Sequence, residues 1–352
     1  MWWIYPVYFI DLVAMIFLSF LLGNLVDALD KKTKISGAFI GGVLLAAVTS
    51  LPELFTAISS ILFVNEPEYV VGDLLGSIIF DLVCLALETF IFVKNFRDAK
   101  IQKFHIVNAG ACLLMYCFAA YAFFAPQNAQ LMLGDINAMS ILIFAIYIIT
   151  LIFQPKESDP DDESDSKEVK WSLKTIIILF VISSLALIGT SIALTYLTKA
   201  IQVQLPALSG SVAGALLLGI GTSVPEIIST AQLFKKKNYD AGIGNMIGSC
   251  TFDFAIFALS DFISWHQYNN AIDSNGNYII SQRGLYIIGD GGLMSDSGQF
   301  EIFGVGVCLL VMLFLMAKVF LKAFDKKKSV AYTLTGITAI GTLAMYLLIF
   351  II

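Results

Sequence analysis

The sequence predicts an all-α polytopic membrane protein with ten transmembrane helices, arranged as two inverted five-helix repeats with broken helices 2 and 7. Three observations predict this fold: an apolar composition, basic residues confined to one side, and an internal repeat. Of the 352 residues, 58% are hydrophobic and 14% are charged, and the mean hydropathy is +0.83. Soluble domains are about 45–50% apolar and about 25% charged, so this chain has too little polar surface for a water-soluble globule.

Ten apolar runs along the chain are bounded by charged residues, proline or glycine. A transmembrane helix needs about 20 apolar residues, and the runs are long enough for that. The predicted spans are 5–29, 35–64, 68–93, 104–125, 134–153, 172–199, 207–234, 239–263, 299–323 and 328–352. The first run has no basic flank and is too long for a signal peptide, so we expect it to remain as a span.

The basic residues test this span count, because ten spans force successive loops to alternate between the two sides of the membrane. All but two of the 21 Lys and Arg residues then fall on one side, the exceptions being Lys199 and Arg283. Basic residues are concentrated in cytoplasmic loops. We therefore expect a multi-pass protein of the cell (plasma) membrane, with both termini outside and the odd-numbered loops in the cytoplasm.

Two polar segments interrupt the apolar runs. Residues 154–171 contain seven acids and are expected to form a cytoplasmic linker between a first half (1–153) and a second half (172–352). A weak regulatory cation site is the alternative for this linker. Residues 264–298 are rich in Asn, Asp, Gly and Ser but lack the Gly and Glu of a calcium loop, so they are expected to form an outer surface hairpin.

The composition also limits the partners of the chain. With 21 basic residues against 27 acidic ones, there is no basic surface for nucleic acid. No pair of His or Cys residues has the spacing of a zinc or copper site. The expected partners are the lipid bilayer and inorganic cations, with no cofactor, and we expect the protein to function as a monomer.

An internal repeat relates the two halves. The block SGAFIGGVLLAAVTSLPE (36–53) returns as SGSVAGALLLGIGTSVPE (209–226), with nine of eighteen positions identical. The block GDLLGSIIFD (72–81) returns as GNMIGSCTFD (244–253), with five of ten identical. Each half has five predicted spans, an odd number, so the second copy crosses the membrane in the opposite sense. Inverted repeats of this kind are typical of secondary transporters, whose site lies at the midplane between the repeats.

The first repeated block places polar groups and a proline in the middle of spans 2 and 7. Proline removes a backbone donor, so a kink or unwound turn is expected there. Hydroxyl and carboxylate are four residues apart in both copies and share a helix face. The residues concerned are Thr49, Ser50, Pro52 and Glu53 in the first half, and Thr222, Ser223, Pro225 and Glu226 in the second, with the carbonyls of Ala46 and Gly219 as further potential ligands.

The second repeated block adds a hydroxyl and a carboxylate at the same spacing. These are Ser77 with Asp81 and Ser249 with Asp253. Four carboxylates thus lie deep in spans, and no Lys or Arg lies at comparable depth to neutralise them. A charge at the bilayer centre costs at least about 2.5–3.5 kcal/mol unless it is paired or hydrated. Carboxylates, hydroxyls and carbonyls are hard oxygen ligands, so the set favours Ca²⁺ and Na⁺ over soft metals.

Other acids in or near the spans are expected to be structural. Asp27 and Glu88 lie near cytoplasmic ends beside Lys31 and Lys94. Asp73 and Asp261 lie at span ends, and the sequence leaves the role of Asp11 open.

At these residues the chain resembles the sodium/calcium exchanger (cation/Ca²⁺ antiporter, CaCA) superfamily. The alpha repeats of that superfamily carry a GTSLPE-like block followed by a G-N-x-x-G-S-N-x-F-[ND]-like block, and here they would span 36–93 and 209–263. The resemblance implies a prokaryotic-type antiporter, not an enzyme, that exports Ca²⁺ in exchange for Na⁺ by alternating access. It also implies that spans 1 and 6 slide against spans 2, 3, 7 and 8.

By this resemblance, the ion ligands divide into two groups. Glu53 and Glu226 would be the principal Ca²⁺ ligands, with help from Thr49 and Thr222. The flanking Na⁺ positions would be lined by Ser50, Ser223, Ser77 and Ser249.

The chain departs from the family pattern at several positions. Val48 replaces the family Gly in the first repeat, and Ile78 and Cys250 replace the Asn that follows Gly-Ser. Asp81 stands where sodium-coupled members often have Asn. The additional acid favours a transport cycle that is coupled to protons or that carries more divalent cations. An exchanger of Ca²⁺, or of another divalent cation, for H⁺ is therefore the alternative.

Two further classes are remote alternatives. An intramembrane aspartyl protease would use Asp81 and Asp253, but it would not explain the duplicated Glu and Thr, and its Gly-x-Gly-Asp signature is absent. A passive cation channel is harder to exclude from the residues alone. Trans-stimulation by the exchanged ion separates an exchanger from a channel.

Overall fold

The computed structural model describes residues 2–32, 45–99, 101–124, 131–133, 136–153, 171–205, 208–268, 296–321 and 328–349. The predicted linker 154–171 lies outside the described residues except for Trp171. The central part of the predicted outer loop (269–295) and the start of the first repeated block (36–44) also lie outside them.

The described part of the chain is almost entirely helical. The first half contains α1 (Ile4–Lys32), α2 (Leu45–Thr49), α3 (Leu51–Ser59), a π-helical segment π1 (Ser60–Val64), α4 (Glu68–Ile91), α5 (Val93–Phe96), α6 (Lys103–Phe124), the two-residue strands β1 (Met132–Leu133) and β2 (Ile136–Asn137), and α7 (Ala138–Ile152). The strands pair antiparallel, with Met132 opposite Asn137. Asn137 then caps α7 by accepting a 2.9 Å hydrogen bond from the Met139 amide.

The described residues of the second half are almost all helical. This half contains α8 (Leu173–Gln204), α9 (Gly210–Ala213), the π-helical segment π2 (Gly214–Gly219), α10 (Ile220–Lys235), α11 (Tyr239–Tyr268), α12 (Asp296–Cys308), α13 (Leu310–Leu321) and α14 (Lys328–Ile349). Ser172 caps α8 and Ser209 caps α9 with side-chain oxygens that accept from the Thr175 and Val212 amides.

Eight helical stretches of the described residues are long and apolar enough to cross a membrane. They are Ile4–Leu25, Ala47–Val64, Glu68–Ile91, Lys103–Phe124, Leu173–Gln204, Gly210–Lys235, Tyr239–Ser264 and Ser329–Leu348. Two shorter apolar helices, Ala138–Ile152 and Ile302–Leu315, lie where the fifth and ninth spans were predicted. The prediction of a multi-pass helical membrane protein is therefore confirmed.

The two proline-containing spans differ in local structure. In the first half, Ser50 is a turn residue between α2 and α3, with φ −93° and ψ 13°. In the second half, α10 runs without interruption through Pro225, and the irregular backbone lies one turn earlier, in π2. The first-half span also ends in π1, after which Asn65 takes the left-handed conformation with φ 58°. Such π-helical segments are frequent at functional sites.

The two halves contact each other backbone to backbone where α4 crosses α9 and π2. A Cβ atom added at Gly72 would lie 1.8 Å from the Ser211 carbonyl oxygen, and one at Gly219 would lie 2.9 Å from the Asp73 carbonyl oxygen. Small residues allow helices to approach this closely in a membrane. The glycines therefore place the polar side chains of α4 directly beside those of the second half.

The buried apolar residues form two separate clusters. The larger one surrounds α4, α6, α7 and α10 to α14. The smaller one contains Met15 on α1 and Leu187 and Leu194 on α8, together with residues of α2, α4, α9 and π2. Helices α1 and α8 pack against each other. Only 17% and 22% of the most apolar stretch of each helix is buried inside the protein. They thus form a distinct layer against the site-bearing helices.

Candidate cation site

Four carboxyls predicted from the sequence lie near one another in the interior, one from each of four helices, although no three of them are close enough in the described structure to form a metal centre. Glu53 on α3 and Asp81 on α4 are 1% exposed, and Glu226 on α10 and Asp253 on α11 are fully buried. The Glu226 carboxyl lies within electrostatic range of the other three. The repeated blocks of the two halves therefore contribute to one site.

Serine hydroxyls connect these helices across the two halves. Ser50 donates a 3.1 Å hydrogen bond to Glu226 Oε1, and its hydroxyl lies 2.9 Å from that of Ser249. The hydroxyls of Ser223 and Ser249 face the Asp81 carboxyl. The turn at Ser50 thus holds its side chain against α10 and α11 at the centre of the site.

A second cluster of polar groups surrounds Thr222. The Thr222 hydroxyl donates to Asp73 Oδ1 at 3.3 Å and lies 3.5 Å from the Ser77 hydroxyl. Ser77 also donates to the Gly219 carbonyl at 3.2 Å, so this predicted ligand carbonyl faces the same group. Thr49 is buried in α2, and Ala46 lies one turn earlier in that helix.

Asp73 was expected to lie at a span end with a structural role, and the structure places it instead in the interior, beside the site. The side chain is fully buried and accepts a 2.5 Å hydrogen bond from Thr56 as well as the bond from Thr222. It interacts electrostatically with Glu53 and Asp253. Its spacing was the missed signal, because Asp73, Ser77 and Asp81 follow at i, i+4 and i+8 on one helix face.

The repeat gives Asp73 a neutral counterpart. Asn245 occupies the matching position in the second block, and its side-chain amide donates to Ser229 and Thr230, at 3.1 Å each. Thr56 and Ser229 are themselves matching positions, 173 residues apart. The same pair of positions therefore bonds in both halves, but the first half carries an additional carboxyl.

Several oxygens of the site have no hydrogen-bond partner among the described residues. They are Glu53 Oε2, both Asp81 oxygens, Ser223 Oγ, Glu226 Oε2 and both Asp253 oxygens. The ion pairs seen in that part of the chain join Arg97 to Asp98, His105 to Asp240 and Lys199 to Glu66, and so leave these carboxyls without a basic partner. A buried carboxylate without compensation is costly in a membrane, so the site is suited to accept a cation.

The remaining acids near the spans fall outside this group. Asp261 accepts a 2.7 Å hydrogen bond from Ser140, as a structural role predicts. Glu88 is buried, with neither oxygen bonded within the described structure, whereas Lys94 is exposed. Asp11 is partly buried on α1, and the Asp27 side chain lies outside what the structure describes. Across the described ranges, no three His, Cys, Asp or Glu side chains have the arrangement of a metal centre.

Known proteins are similar to this chain in sequence or in fold. The proposed antiporter CaxA of Alkalimonas amylolytica is 22% identical over 300 residues, covering 82% of this chain and 89% of its own. The structure of the H⁺/Ca²⁺ exchanger CAX matches 98% of this chain and 88% of its own, with a TM-score of 0.63 and 12% identity. That of the sodium-calcium exchanger NCX_Mj matches 99% and 98%, with a TM-score of 0.58 and 19% identity.

The family assignment rests on a match over both halves. Residues 4–155 and 175–352 match the profile described as sodium/calcium exchanger protein. The matched ranges include every carboxyl and hydroxyl of the site. The chain therefore belongs to the sodium/calcium exchanger protein family and is a membrane ion antiporter, not an enzyme.

Proposed function

We propose that this protein exports Ca²⁺ in exchange for Na⁺ by alternating access at the buried carboxylate site. The observation that carries the proposal is the meeting of Glu53, Asp81, Glu226 and Asp253 without a basic partner in the described structure. Ca²⁺ takes six to eight oxygen ligands, and the carboxyls, hydroxyls and carbonyl that meet here are oxygen donors of that kind.

The proposed site assigns separate roles to its residues. Glu53 and Glu226 bind Ca²⁺, with Thr49 and Thr222 and with the carbonyls of Ala46 and Gly219. Na⁺ binds at flanking positions lined by Ser50, Ser77, Ser223 and Ser249, and Asp81 and Asp253 balance its charge. The hydrogen bonds from Ser50 to Glu226 and from Ser77 to the Gly219 carbonyl run between the two sets of residues, as adjacent Ca²⁺ and Na⁺ positions require.

The proposed architecture has ten crossings in two inverted halves, with both termini outside and the odd-numbered loops in the cytoplasm. The shorter helices α7 and α12–α13 supply the fifth and ninth crossings. The one-sided distribution of basic residues supports the orientation. The meeting of matching blocks from both halves supports the inverted repeat.

Alternating access is proposed to occur by sliding of α1 and α8 against the site-bearing helices. Their apolar contacts form a cluster separate from the main core. Tyr8 on α1 donates a 2.5 Å hydrogen bond to the Leu217 carbonyl of π2. A movement of α1 would have to break this bond, which lies next to the site.

Exchange of Ca²⁺ for H⁺ is the second candidate, and a specific observation favours it. Asp73 and Asp81 bring the number of buried carboxyls in the site to five, with Glu53, Glu226 and Asp253. Carboxyls that close together cannot all remain charged without counter-ions. Protons could therefore be the counter-ions when Ca²⁺ leaves.

Flux measurements on purified protein in liposomes test these proposals. We expect Ca²⁺ uptake driven by an imposed Na⁺ gradient at constant pH, and faster Ca²⁺ efflux when the exchanged ion is supplied on the opposite side. Flux that follows a pH gradient and ignores Na⁺ would establish the H⁺-coupled alternative. Flux without trans-stimulation would contradict both forms of exchange and identify a channel.

A further inference from the structure

Glu88 is a buried carboxyl that the proposed site does not use. It lies in the last turn of α4, is 6% exposed, and neither of its oxygens has a hydrogen-bond partner among the described residues. Lys94, the nearest basic residue after it in the sequence, is exposed and makes no ion pair with it there. Nothing in this part of the structure therefore balances its charge.

Glu88 continues the polar face of α4 beyond the site. At about 100° per residue, Asp73, Ser77, Asp81, Cys84 and Glu88 fall within an arc of about 80°. Asp81 and Glu88 are seven residues apart, or about 10 Å along the helix axis. Cys84 lies between them and interacts electrostatically with both. The face thus leads from the centre of the site to the end of α4.

The neighbouring helix does not satisfy Glu88. Helix α14 packs along α4, with Tyr346 stacked on Phe80 at 5.4 Å and Gly336 next to Phe90. Its buried hydroxyls on Thr335 and Thr342 donate to carbonyls of α14 itself, and that of Tyr346 lies near Cys84 and does not bond either Glu88 oxygen. Helix α14 therefore packs next to Glu88 without supplying a donor to it.

The second half has no carboxyl at the position that matches Glu88. The matching position, 172 residues later, is Ser260. The buried acid next to it, Asp261, accepts a hydrogen bond of 2.7 Å from Ser140. Asp261 on α11 thus has a hydrogen-bond donor, whereas Glu88 near the end of α4 has none among the described residues.

We infer that Glu88 is an access site where the transported cation binds transiently between the site and the membrane face at which α4 ends. The inference rests on the proposed function, whose topology makes this face cytoplasmic. One carboxylate supplies far fewer oxygens than the six to eight ligands that Ca²⁺ takes, so the cation keeps most of its water there. Weak binding of this kind suits a pathway, because the ion has to leave as readily as it enters.

The first test measures the KM for Ca²⁺ of the Glu88→Gln variant separately at each face of the membrane. With saturating counter-ion, we expect the KM for Ca²⁺ at the face where α4 ends to rise about tenfold, because an unpaired charge raises the local cation concentration at least about that much. The KM at the opposite face and the maximum rate should stay unchanged. Asp261→Asn is the matched control, which keeps the Ser140 bond and should leave both KM values unaltered. Equal KM changes at both faces, or none, would overturn the inference.

The second test does not depend on transport. In a background without other cysteines, Glu88→Cys should react with a membrane-impermeant, positively charged methanethiosulfonate reagent from the face where α4 ends, and added Ca²⁺ should slow the reaction. Reaction only from the opposite face, or none from either, would exclude an access site at Glu88. If the wild-type protein carries no Ca²⁺, the proposed function fails, while labelling still decides whether aqueous cations reach Glu88.

Discussion

Ser50 of the first half donates a 3.1 Å hydrogen bond to Glu226 of the second half, 176 positions later in the chain. The bond depends on the turn between α2 and α3, which directs the Ser50 side chain away from its own helix. The same hydroxyl lies 2.9 Å from Ser249 on α11. One side chain therefore connects three of the helices that form the site.

Replacing Ser50 with alanine should weaken Ca²⁺ binding, because Ser50, which is proposed to line a Na⁺ position, also donates a hydrogen bond to the proposed Ca²⁺ ligand Glu226. A hydrogen bond to a charged group contributes about 1.5–3 kcal/mol, so the affinity should fall at least about tenfold. Titration calorimetry of the purified protein measures this directly. Ser59→Ala is the control, because the Ser59 hydroxyl is also buried but has no partner within the described structure. Equal affinities for the two variants would contradict the role given to Ser50.

The sequence predicted which helices meet, because the repeated blocks identify the polar segments and the membrane restricts their placement. It did not predict how each block bends. Pro52 and Pro225 stand in matching blocks, yet the helix is interrupted only in the first half. In the second half, π2 packs backbone to backbone on α4 at Gly214 and Gly219. That contact is tertiary, so no local pattern could reveal it.

The surroundings of two acids differ from those expected from the sequence. Asp73 lies near the start of α4, where the predicted span also begins, but π2 packs on this part of the helix and the Thr222 hydroxyl donates to the Asp73 carboxyl, so the side chain is fully buried. Glu88 was paired with Lys94 from their proximity in the sequence. Residues six apart are separated by about 120° around a helix and do not face each other, and α4 ends at Ile91, before Lys94.

Replacing either Glu53 or Glu226 with glutamine should abolish Ca²⁺ flux, whichever ion drives it. Both side chains keep their size, but each loses the charge that balances a divalent cation at the buried site. Flux is measured in liposomes under a Na⁺ gradient and, separately, under a pH gradient. Asp261→Asn changes a buried carboxyl outside the site and should transport normally. Substantial flux in either glutamine variant would refute the ligand assignment.

Replacing Asp81 with asparagine should leave part of the Na⁺-driven Ca²⁺ flux, because Asp253 still balances the Na⁺ charge, and should reduce any flux driven by a pH gradient more strongly. The amide keeps its place beside the Ser223 and Ser249 hydroxyls but cannot carry a proton in exchange. Comparing the two gradients on the same preparation measures the effect. If Na⁺-driven flux is lost as well, Asp81 is required for Na⁺ or Ca²⁺ binding itself.

Replacing Asp73 with asparagine makes the first half match the second, where Asn245 occupies this position. The amide oxygen can still accept the hydrogen bond from Thr56, so the fold should be retained. The site loses one negative charge near Glu53, and Ca²⁺ affinity should fall several-fold. Asp98→Asn, at an exposed position, serves as the control. An unchanged affinity would show that Asp73 supports the helices without acting on the ion.

Replacing Gly72 with alanine should destabilise the contact between the two halves. The added Cβ would lie 1.8 Å from the Ser211 carbonyl oxygen, so α4 and α9 would have to separate. Overpacking of this kind costs about 1–3 kcal/mol, which should lower the Tm of the protein in detergent. Gly110→Ala is the control, because nothing lies within 4 Å of the added atom, and alanine favours a helix by roughly 1 kcal/mol over glycine. The Tm should therefore fall for Gly72→Ala and hold or rise for Gly110→Ala, and an equal response would show that α4 and α9 do not need this close approach.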